Sequence, residues 1–372
     1  MLIKLRFTII LFLLTISLYA QPNDTIYGNV KSIREKVVFL DSTKQQIRFL
    51  SLDGDYGHSG FTNPEWITSR FSKQWFNSPW VHYVNYHKEF NEKGKVINET
   101  WFYIDNDTVT NYKYQYDARN NLIQTKEKFI DEGYSVRYYS YNSQNKVKTS
   151  LNYFTSEPEE YIYRVYDYDA LSNLIRVKTF NEDGESSSWI YQYDHKYRKI
   201  IDKTHKPYVY VKTKTDRKTV SDSIGSFRNS KKYIYDDNNR IIETQTFDTR
   251  LDEIQKLKPQ SKVKNIYEND LLKEVQYIRD TIVNTTQYNY DKRKRLIKKS
   301  ILHTKYSDNN KSLIYSYGAN NNIIKLIHTE NSITKVVTFN YKFDKHNNWI
   351  QQTKSVDGIE LYIWTREIKY YN

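Results

Sequence analysis

The 372-residue sequence contains no cysteine and has only 6 prolines, 10 glycines and 1 methionine. Without cysteine the chain cannot form disulfides, ligate zinc through thiolates, use a cysteine nucleophile or carry a lipid on a cysteine behind a signal segment. The shortage of proline and glycine argues against a collagen-like or linker-rich chain. The fold therefore depends on the burial of apolar surface and on strand pairing.

The sequence also lacks the short motifs of common enzymes and metal sites. It has no phosphate-binding glycine loop, no nucleotide-binding fingerprint and no serine-hydrolase elbow. Asp53 and Asp55 begin a weak likeness to a calcium loop, but the closing glutamate is missing. His82 and His87 have no third metal ligand near them in the sequence. We therefore expect no catalytic residue, no cofactor and no metal.

Aromatic side chains and positive charge are abundant. There are 36 tyrosines, 16 phenylalanines and 7 tryptophans, whereas disordered chains are poor in aromatic residues. The net charge of +13 raises the question of a nucleic-acid partner. Because the basic residues are scattered, and the dense run 292–295 falls in a predicted turn, we expect a solvated surface and no nucleic-acid partner. Such a surface also attracts anionic polysaccharide or lipid headgroups.

Residues 1–20 have the pattern of a signal peptide. Lys4 and Arg6 form a basic start, an apolar run covers residues 7–18, and Ala20 precedes the expected cleavage site. The apolar run is short for a membrane span. We expect a bacterial protein that is exported to the periplasm, the cell surface or the medium and has no membrane span after cleavage. An uncleaved N-terminal anchor is the alternative.

The segment 21–85 does not share the pattern of the remaining chain. It is predicted to hold one or two strands within residues 26–40, followed by an irregular stretch rich in glycine and tryptophan. The candidates for ligand contact in that stretch are Trp66, Trp75, Trp80 and His82. They would form an aromatic platform for a sugar or a peptide. The alternative is a cap that closes the end of the sheet, which repeat arrays need.

Residues 86–372 are organised around a repeat typified by Tyr114-Gln115-Tyr116-Asp117 and, after a turn, Leu122-Ile123. Its Asp-like position recurs at intervals of 26, 25, 27, 25, 42, 32, 23, 27 and 26 residues. These positions are Asn91, Asp117, Asn142, Asp169, Asp194, Asp236, Glu268, Asp291, Gly318 and Asp344. A sustained period of this length predicts a repeat architecture. The two long intervals mark insertions near 203–230 and 249–264, which we expect to be polar surface loops, in part extended.

Each unit is predicted to be a hairpin. Tyr114 and Tyr116 lie two residues apart and share one face of a strand. Asp117 accepts hydrogen bonds from the backbone of the turn, and Asn120 supplies the left-handed conformation that a tight reversal needs. About ten units predict an all-β fold: a long antiparallel meander of about ten two-stranded repeats in a twisted or spiralling sheet, with an irregular N-terminal cap segment.

Three units depart from this turn chemistry. They have Ser172, Tyr197 or Lys294 where the other turns mostly have asparagine or glycine. Asparagine and glycine tolerate a positive φ better than other residues do. We therefore expect these three turns to be looser or of another type.

The pattern Tyr-x-Tyr-Asp-x-x-Gly/Asn, followed by two apolar residues, resembles the YD repeat of the rearrangement-hotspot (RHS) family. That family occurs in bacterial secreted and surface proteins, in insecticidal toxin components and in animal teneurins. The residues that carry the resemblance are Tyr116, Asp117, Asn120, Tyr168, Asp169, Tyr193, Asp194, Tyr235, Asp236, Asn239, Tyr290, Asp291, Phe343, Asp344 and Asn347. The resemblance implies a β-sheet ribbon that spirals around a hollow interior, with structural roles alone for these residues.

Members of the family that enclose a toxin are far longer and carry a processing region and a toxin after the repeats. This sequence ends in a last repeat at residues 349–371. The resemblance therefore implies a short exported member rather than a cargo shell.

The preferred functional hypothesis is a non-enzymatic β-repeat scaffold that binds protein or carbohydrate at the cell envelope. One alternative is a polysaccharide-acting enzyme with its site in residues 53–87. Another is a relative of a toxin-delivery shell. The sequence does not specify the ligand, the oligomeric state or whether the sheet closes around a cavity.

Overall fold

The structure is a computed structural model that describes residues 26–40, 84–102, 106–129, 133–205, 208–212, 217–221, 227–247, 259–305 and 307–372. In these ranges all regular structure is β, apart from one 3-10 turn at Ser307–Asn309. No helix in the same ranges is long and apolar enough to cross a membrane. The all-β class predicted from the sequence is confirmed.

The strands are short and follow one another closely along the chain. They are β1 Val30–Phe39, β2 Asn85–Phe90, β3 Val96–Phe102, β4 Thr108–Tyr116, β5 Leu122–Phe129, β6 Gly133–Tyr141, β7 Val147–Phe154, β8 Glu157–Tyr168, β9 Leu174–Asn181, β10 Gly184–Tyr193, β11 Lys199–His205, β12 Tyr208–Lys212, β13 Arg217–Ser221, β14 Arg228–Tyr235, β15 Ile241–Thr246, β16 Ser261–Glu268, β17 Leu271–Arg279, β18 Ile282–Tyr290, β19 Leu296–His303, β20 Lys311–Tyr317, β21 Ile323–Glu330, β22 Ile333–Phe343, β23 Trp349–Val356 and β24 Ile359–Tyr370. Each pairs antiparallel with the next, except that β11 pairs with β14 and that β12 and β13 form a separate hairpin.

The first strand closes the sheet. β1 pairs with β2 through residues 32–36 and, along its other edge, with β24 through residues 30–39. Among the described residues, 22 strands form one closed antiparallel barrel. Closure removes the edge strands whose unpaired backbone groups would recruit another chain.

The predicted architecture, a twisted or spiralling meander of two-stranded repeats with an irregular N-terminal cap, is therefore wrong. The strand predicted within residues 26–40 exists, but it completes the barrel instead of capping an open sheet. The physical reason is that β1 satisfies backbone groups on the free edges of both β2 and β24, which an open sheet would leave unpaired. The repeat pattern gives no sign of this pairing because β1 carries no copy of the motif.

One face of the barrel carries the hydrophobic core, and we call it the inner face. This face continues across the closure of the barrel. Val37 lies opposite Trp364, and its backbone amide donates to the carbonyl of Val84. The core is concentrated on β1–β4 and β18–β24. Its buried side chains include Val37, Tyr86, Trp101, Tyr112, Tyr288, Leu313, Tyr315, Ile323, Leu326, Val337, Phe339, Trp349, Tyr362 and Trp364.

The opposite, outer face is mostly polar. Exposed side chains at its alternating strand positions include Lys113, Arg176, Gln192, Lys264, Lys298, Lys325, Asn340, Thr365 and Glu367. An amphipathic antiparallel sheet with one face on a core and the other in water has this alternation.

A charged pair is buried where the barrel closes. Glu35 of β1 and Arg366 of β24 lie directly opposite each other, with 2.8 Å between Glu35 Oε1 and Arg366 Nη2, and both side chains are fully buried. The guanidinium also lies over the indole of Trp349, 3.7 Å from the ring centre. This contact places a charge-assisted hydrogen bond across the seam, in an apolar setting.

A lysine is buried one strand away from that pair. Lys354 of β23 has no exposed surface, and its Nζ lies 6.0 Å from the ring centre of Phe339 and 5.9 Å from that of Tyr362. Burial among these groups lowers the pKa of Lys354 to about 7. The folded protein therefore disfavours the charged form of this side chain.

The repeated turn is built from backbone and carboxylate hydrogen bonds. In the turn after β4, the amide of Asn120 donates to the carbonyl of Asp117, and the Asp117 carboxylate accepts from the amide of Asn121 at 2.8 Å. Asn120 has a φ of +67°, and the register shifts at Tyr116. This is a type I turn followed by a left-handed residue and a bulge. The backbone amide of Asn121, followed by its side-chain amide, holds the pKa of Asp117 below its usual value.

The expectation that three turns would be looser was wrong. Ser172, Tyr197 and Lys294 have φ values of +67°, +60° and +61°, close to those of the asparagine turns. Their amides donate to the turn aspartates in the same way. The carboxylate and the paired strands impose the left-handed conformation even on side chains that disfavour it.

Tyr197→Gly is expected to raise the free energy of unfolding by about 0.5–1 kcal/mol. Glycine removes the strain of a left-handed tyrosine, roughly 1–2 kcal/mol, and loses part of that gain to its greater freedom in the unfolded chain. Chemical denaturation of the variant measures the change. Lys196→Gly, which alters a neighbour in the same turn without a positive φ, is the control and should destabilise the protein; equal effects of both changes would contradict the prediction.

Tyrosine hydroxyls tie each hairpin to the one before it. The second tyrosine of the motif donates to a backbone carbonyl at the start of the preceding strand, at distances between 2.7 and 3.3 Å. The donors are Tyr116, Tyr141, Tyr168, Tyr193, Tyr235, Tyr267, Tyr290 and Tyr317. Phe343 has no hydroxyl, and Tyr341 donates to Ile323 in its place at 3.1 Å.

The two insertions differ from each other. In the first, β11 continues to His205, β12 and β13 form their separate hairpin, and β14 begins at Arg228. That insertion therefore contains paired strands. In the second, residues 248–258 lie outside the described residues, and β16 begins at Ser261.

Candidate functional site

The residues singled out from the sequence for ligand contact fall outside the part of the chain that the structure describes. They are Trp66, Trp75, Trp80 and His82, and with them nearly all of the segment 53–87. The repeat residues are described and lie at strand ends or in the following turns. Their carboxylates are engaged by the turn backbone, so they are structural hydrogen-bond acceptors.

Six aromatic side chains lie together on the outer face of β6–β9, and we call them the aromatic surface. They are Tyr134, Tyr138, Tyr153, Tyr161, Tyr163 and Phe180. Cross-strand pairing aligns them: Tyr153 lies opposite Tyr161, and Tyr163 lies opposite Phe180. Because partners across a sheet share a face, the rings form one continuous patch.

The rings of this surface pack against one another. The ring centres of Tyr138 and Tyr153 are 6.5 Å apart with an interplanar angle of 19°, and those of Tyr163 and Phe180 are 6.3 Å apart. Val136, which lies directly opposite Tyr153 on the same face, has only 3% of its surface exposed, whereas Tyr138 is 41% exposed. Burial, together with the nearby Tyr138, raises the pKa of Tyr153. The surface therefore presents flat rings and their hydroxyl groups at the outer face.

Three lysines border the aromatic surface on the β4–β5 side. Lys113 lies directly opposite Lys126, and Lys126 lies directly opposite Val136. Lys128 pairs with Tyr134 in the next row, and the Lys126 Nζ lies 3.8 Å from the centre of the Tyr134 ring. No carboxylate among the described residues forms an ion pair with any of the three.

The inner face carries a different polar group on β2–β5. Lys88 Nζ lies 3.3 Å from Glu99 Oε1, which also accepts from Trp101 Nε1 at 2.9 Å. On the next strands, the Tyr112 hydroxyl donates to Glu127 Oε1 at 2.6 Å. Burial raises the pKa of Glu99, against the opposing effect of Lys88, and burial raises that of Glu127 in the same way.

A carboxyl group with a raised pKa can act as a general acid. Glu99 and Glu127 are two such groups. Here each carboxyl group is already held by a donor from the neighbouring strand, as in a satisfied buried network. Among the described residues no cluster of three or more His, Asp or Glu side chains is arranged to hold a metal ion. This group therefore joins strands across the inner face, and the aromatic surface is the better candidate for ligand contact.

No protein-family model matches the sequence. No curated protein matches it at a significant level.

Three solved structures are distantly similar to this chain. A Tc holotoxin pore from Photorhabdus luminescens is 12% identical over 80% of this chain and 20% of that chain, with a TM-score of 0.24; this chain spans about a fifth of its length. A porin-like protein from Bacteroides uniformis is 10% identical over 94% of this chain and 100% of that chain, with a TM-score of 0.24. One from Bacteroides vulgatus is 10% identical over 70% and 92%, with a TM-score of 0.18. At these scores the likenesses carry no argument, and membership of the RHS family stays a prediction.

Sequence reasoning missed the aromatic surface because tyrosine is common throughout the chain. The sequence does contain a usable signal, because alternate residues along a strand face opposite sides of the sheet. The motif tyrosines Tyr139 and Tyr141 occupy the inner face of β6, so Tyr138 must face outward. Aromatic residues out of step with the motif, such as Tyr161 and Tyr163 before Tyr168, mark the outer patch.

Proposed function

We propose that the chain is an exported, non-enzymatic barrel that binds polysaccharide on its aromatic surface. The supporting observation is the grouping of six aromatic rings on four adjacent strands of an outer face that is mostly polar. Contiguous exposed apolar patches of this kind mark interaction sites. Tyrosine suits a sugar ligand because its ring packs against the apolar face of a sugar while its hydroxyl forms hydrogen bonds.

The polar outer face supports a barrel that works in water. Strands that face lipid carry apolar residues at outward positions, and a lysine near the middle of the bilayer destabilises such a barrel by roughly 2–4 kcal/mol. The corresponding positions here hold Lys113, Lys264, Lys298 and Lys325, all exposed. Export is proposed from the signal-peptide pattern of residues 1–20.

A sugar fits the aromatic surface better than a protein partner does. Protein hot spots are anchors that fill pockets, and they cluster in well-packed, desolvated centres. Here Val136, which lies on the same face, is buried, and the exposed part includes the stacked rings of Tyr138 and Tyr153. A protein partner is the second candidate, and the experiment below distinguishes it.

The double variant Tyr138→Ala/Tyr163→Ala is expected to weaken polysaccharide binding by about tenfold or more. Each ring contributes about 0.5–1.5 kcal/mol of stacking, and tenfold corresponds to about 1.4 kcal/mol. Affinity electrophoresis with soluble polysaccharides and pull-down with insoluble ones measure the loss.

The matched control is Tyr197→Gly, which removes a tyrosine that is 60% exposed but lies in a turn away from the aromatic surface. It should bind like the unaltered protein. Unchanged binding by a correctly folded double variant would rule out the aromatic surface as the site. Capture of a purified protein, with no polysaccharide bound, would favour the second candidate.

A further inference from the structure

We infer that the polysaccharide is acidic and that its carboxylate groups are held by Lys113, Lys126 and Lys128. This inference rests on the proposed function and adds the chemical class of the ligand. It comes from three lysines directly beside the aromatic surface that form no ion pair with any carboxylate among the described residues.

The lysines and the rings lie in the same cross-strand row. Successive partners from β4 to β8 are Lys113, Lys126, Val136, Tyr153 and Tyr161. With about 4.8 Å between neighbouring strands, the row is about 19 Å long. A polysaccharide chain lying along it would stack sugar rings on the tyrosine half and bring its carboxylates over the lysine half.

The facing lysines Lys113 and Lys126 form no ion pair with a carboxylate among the described residues. Like charges directly opposite each other on paired strands destabilise a sheet. Lys113 and Lys126 are such a pair, and among the described residues neither they nor Lys128 has a carboxylate within ion-pair distance. A bound anion would relieve this repulsion, so the local charge is complementary to an acidic ligand.

On the β9 side of the aromatic surface, the basic side chains have carboxylate partners. There Arg176 Nε lies 2.6 Å from Asp167 Oδ2, and Lys178 Nζ lies 3.9 Å from Glu185 Oε2. These cations are matched by carboxylates on neighbouring strands. In the described part of the chain, the unmatched charge beside the aromatic surface therefore lies at the β4–β5 border, and we place the acidic groups of the ligand there.

The test compares polygalacturonate with its methyl-esterified form, which has the same backbone but neutral carboxyl groups. The protein is expected to bind polygalacturonate about tenfold more tightly, since each exposed ion pair contributes up to about fivefold. The preference should disappear in about 1 M salt, where the screening length is about 3 Å. The triple variant Lys113→Gln/Lys126→Gln/Lys128→Gln should bind both forms alike.

The control is Lys264→Gln/Lys298→Gln/Lys325→Gln, which removes the same charge from exposed outer positions elsewhere. It should keep the preference; an equal loss would mean that net charge alone attracts the ligand and would overturn the inference. Equal binding of both polymers, weakened by Tyr138→Ala/Tyr163→Ala, would overturn the inference and leave the proposed function standing. Binding of no polysaccharide at all would overturn both.

Discussion

Replacement of Glu35 by glutamine should lower the free energy of unfolding by about 3–5 kcal/mol, because it removes the carboxylate that is paired with the buried guanidinium of Arg366. Both side chains are fully buried, and their 2.8 Å contact joins β1 to β24 at the closure. Trp349 lies over the guanidinium but carries no negative charge. The destabilisation should therefore be greatest where β1 pairs with β24 and closes the barrel.

Denaturant unfolding of Glu35→Gln measures the effect, and limited proteolysis reports whether the seam opens first. Lys335→Gln is the control: its ion pair with Asp357 is about 40% exposed (43% and 39%), so its loss should change stability by less than about 1 kcal/mol. The double variant Glu35→Leu/Arg366→Met, which removes both charges, should recover most of the stability. A double variant as unstable as Glu35→Gln would show that packing, and not the stranded charge, dominates.

Lys354→Met should have the opposite effect and raise the free energy of unfolding by about 2–4 kcal/mol at pH about 6. Methionine fills a similar volume without a charge and so avoids the desolvation that lowers the pKa of Lys354. A pKa of about 7 in the folded protein against about 10.5 in the unfolded chain corresponds to a penalty of this order, since one pKa unit is about 1.4 kcal/mol. The rings of Phe339 and Tyr362 on either side suit an apolar side chain. Denaturant unfolding of the two proteins measures the difference.

The gain should depend on pH with a definite sign. The pKa of Lys354 is about 7 in the folded protein and near 10.5 in the unfolded chain. Between these values the unfolded chain holds one more proton at this position, so this group makes wild-type stability rise with pH by up to about 1.4 kcal/mol per unit. The advantage of Lys354→Met is therefore complete below pH about 7 and shrinks as the pH rises toward 10.5.

Lys325→Met provides the comparison, because Lys325 is exposed on the outer face. It should change stability by less than about 0.5 kcal/mol at any pH in this range. A Lys354→Met protein that is less stable than the wild type at pH about 6 would contradict the prediction and assign Lys354 a stabilising role in its charged form.

The local structure of the barrel could be foreseen because it follows from short-range chemistry. The spacing of Tyr114 and Tyr116, with Asp117 and Asn120 after them, is enough to predict a strand that ends in a tight turn. The error at Tyr197 came from weighing its intrinsic preference alone. In the structure, the hydrogen bonds of Asp194 and the flanking strand pairs outweigh that preference.

Closure could not be foreseen because it is a long-range pairing of dissimilar segments. The inner face of β1 contributes Ile33, Glu35 and Val37, an alternating pattern that many strands share. Its charged residue matches Arg366 only once both strands are in place. The aromatic surface was hidden for a related reason: which tyrosines face outward depends on strand register, which a count of aromatic residues does not reveal.

The closing strand has a consequence for the order of biosynthesis. Glu35 and Arg366 are 331 positions apart, so a ribosome that adds about 5–20 residues per second completes the second strand of the seam roughly 15–65 s after the first. Until β24 has been synthesised, β1 lacks one of its two neighbours in the barrel. A nascent chain that stops before β24 keeps open edges, so premature termination should yield aggregating fragments instead of smaller working barrels.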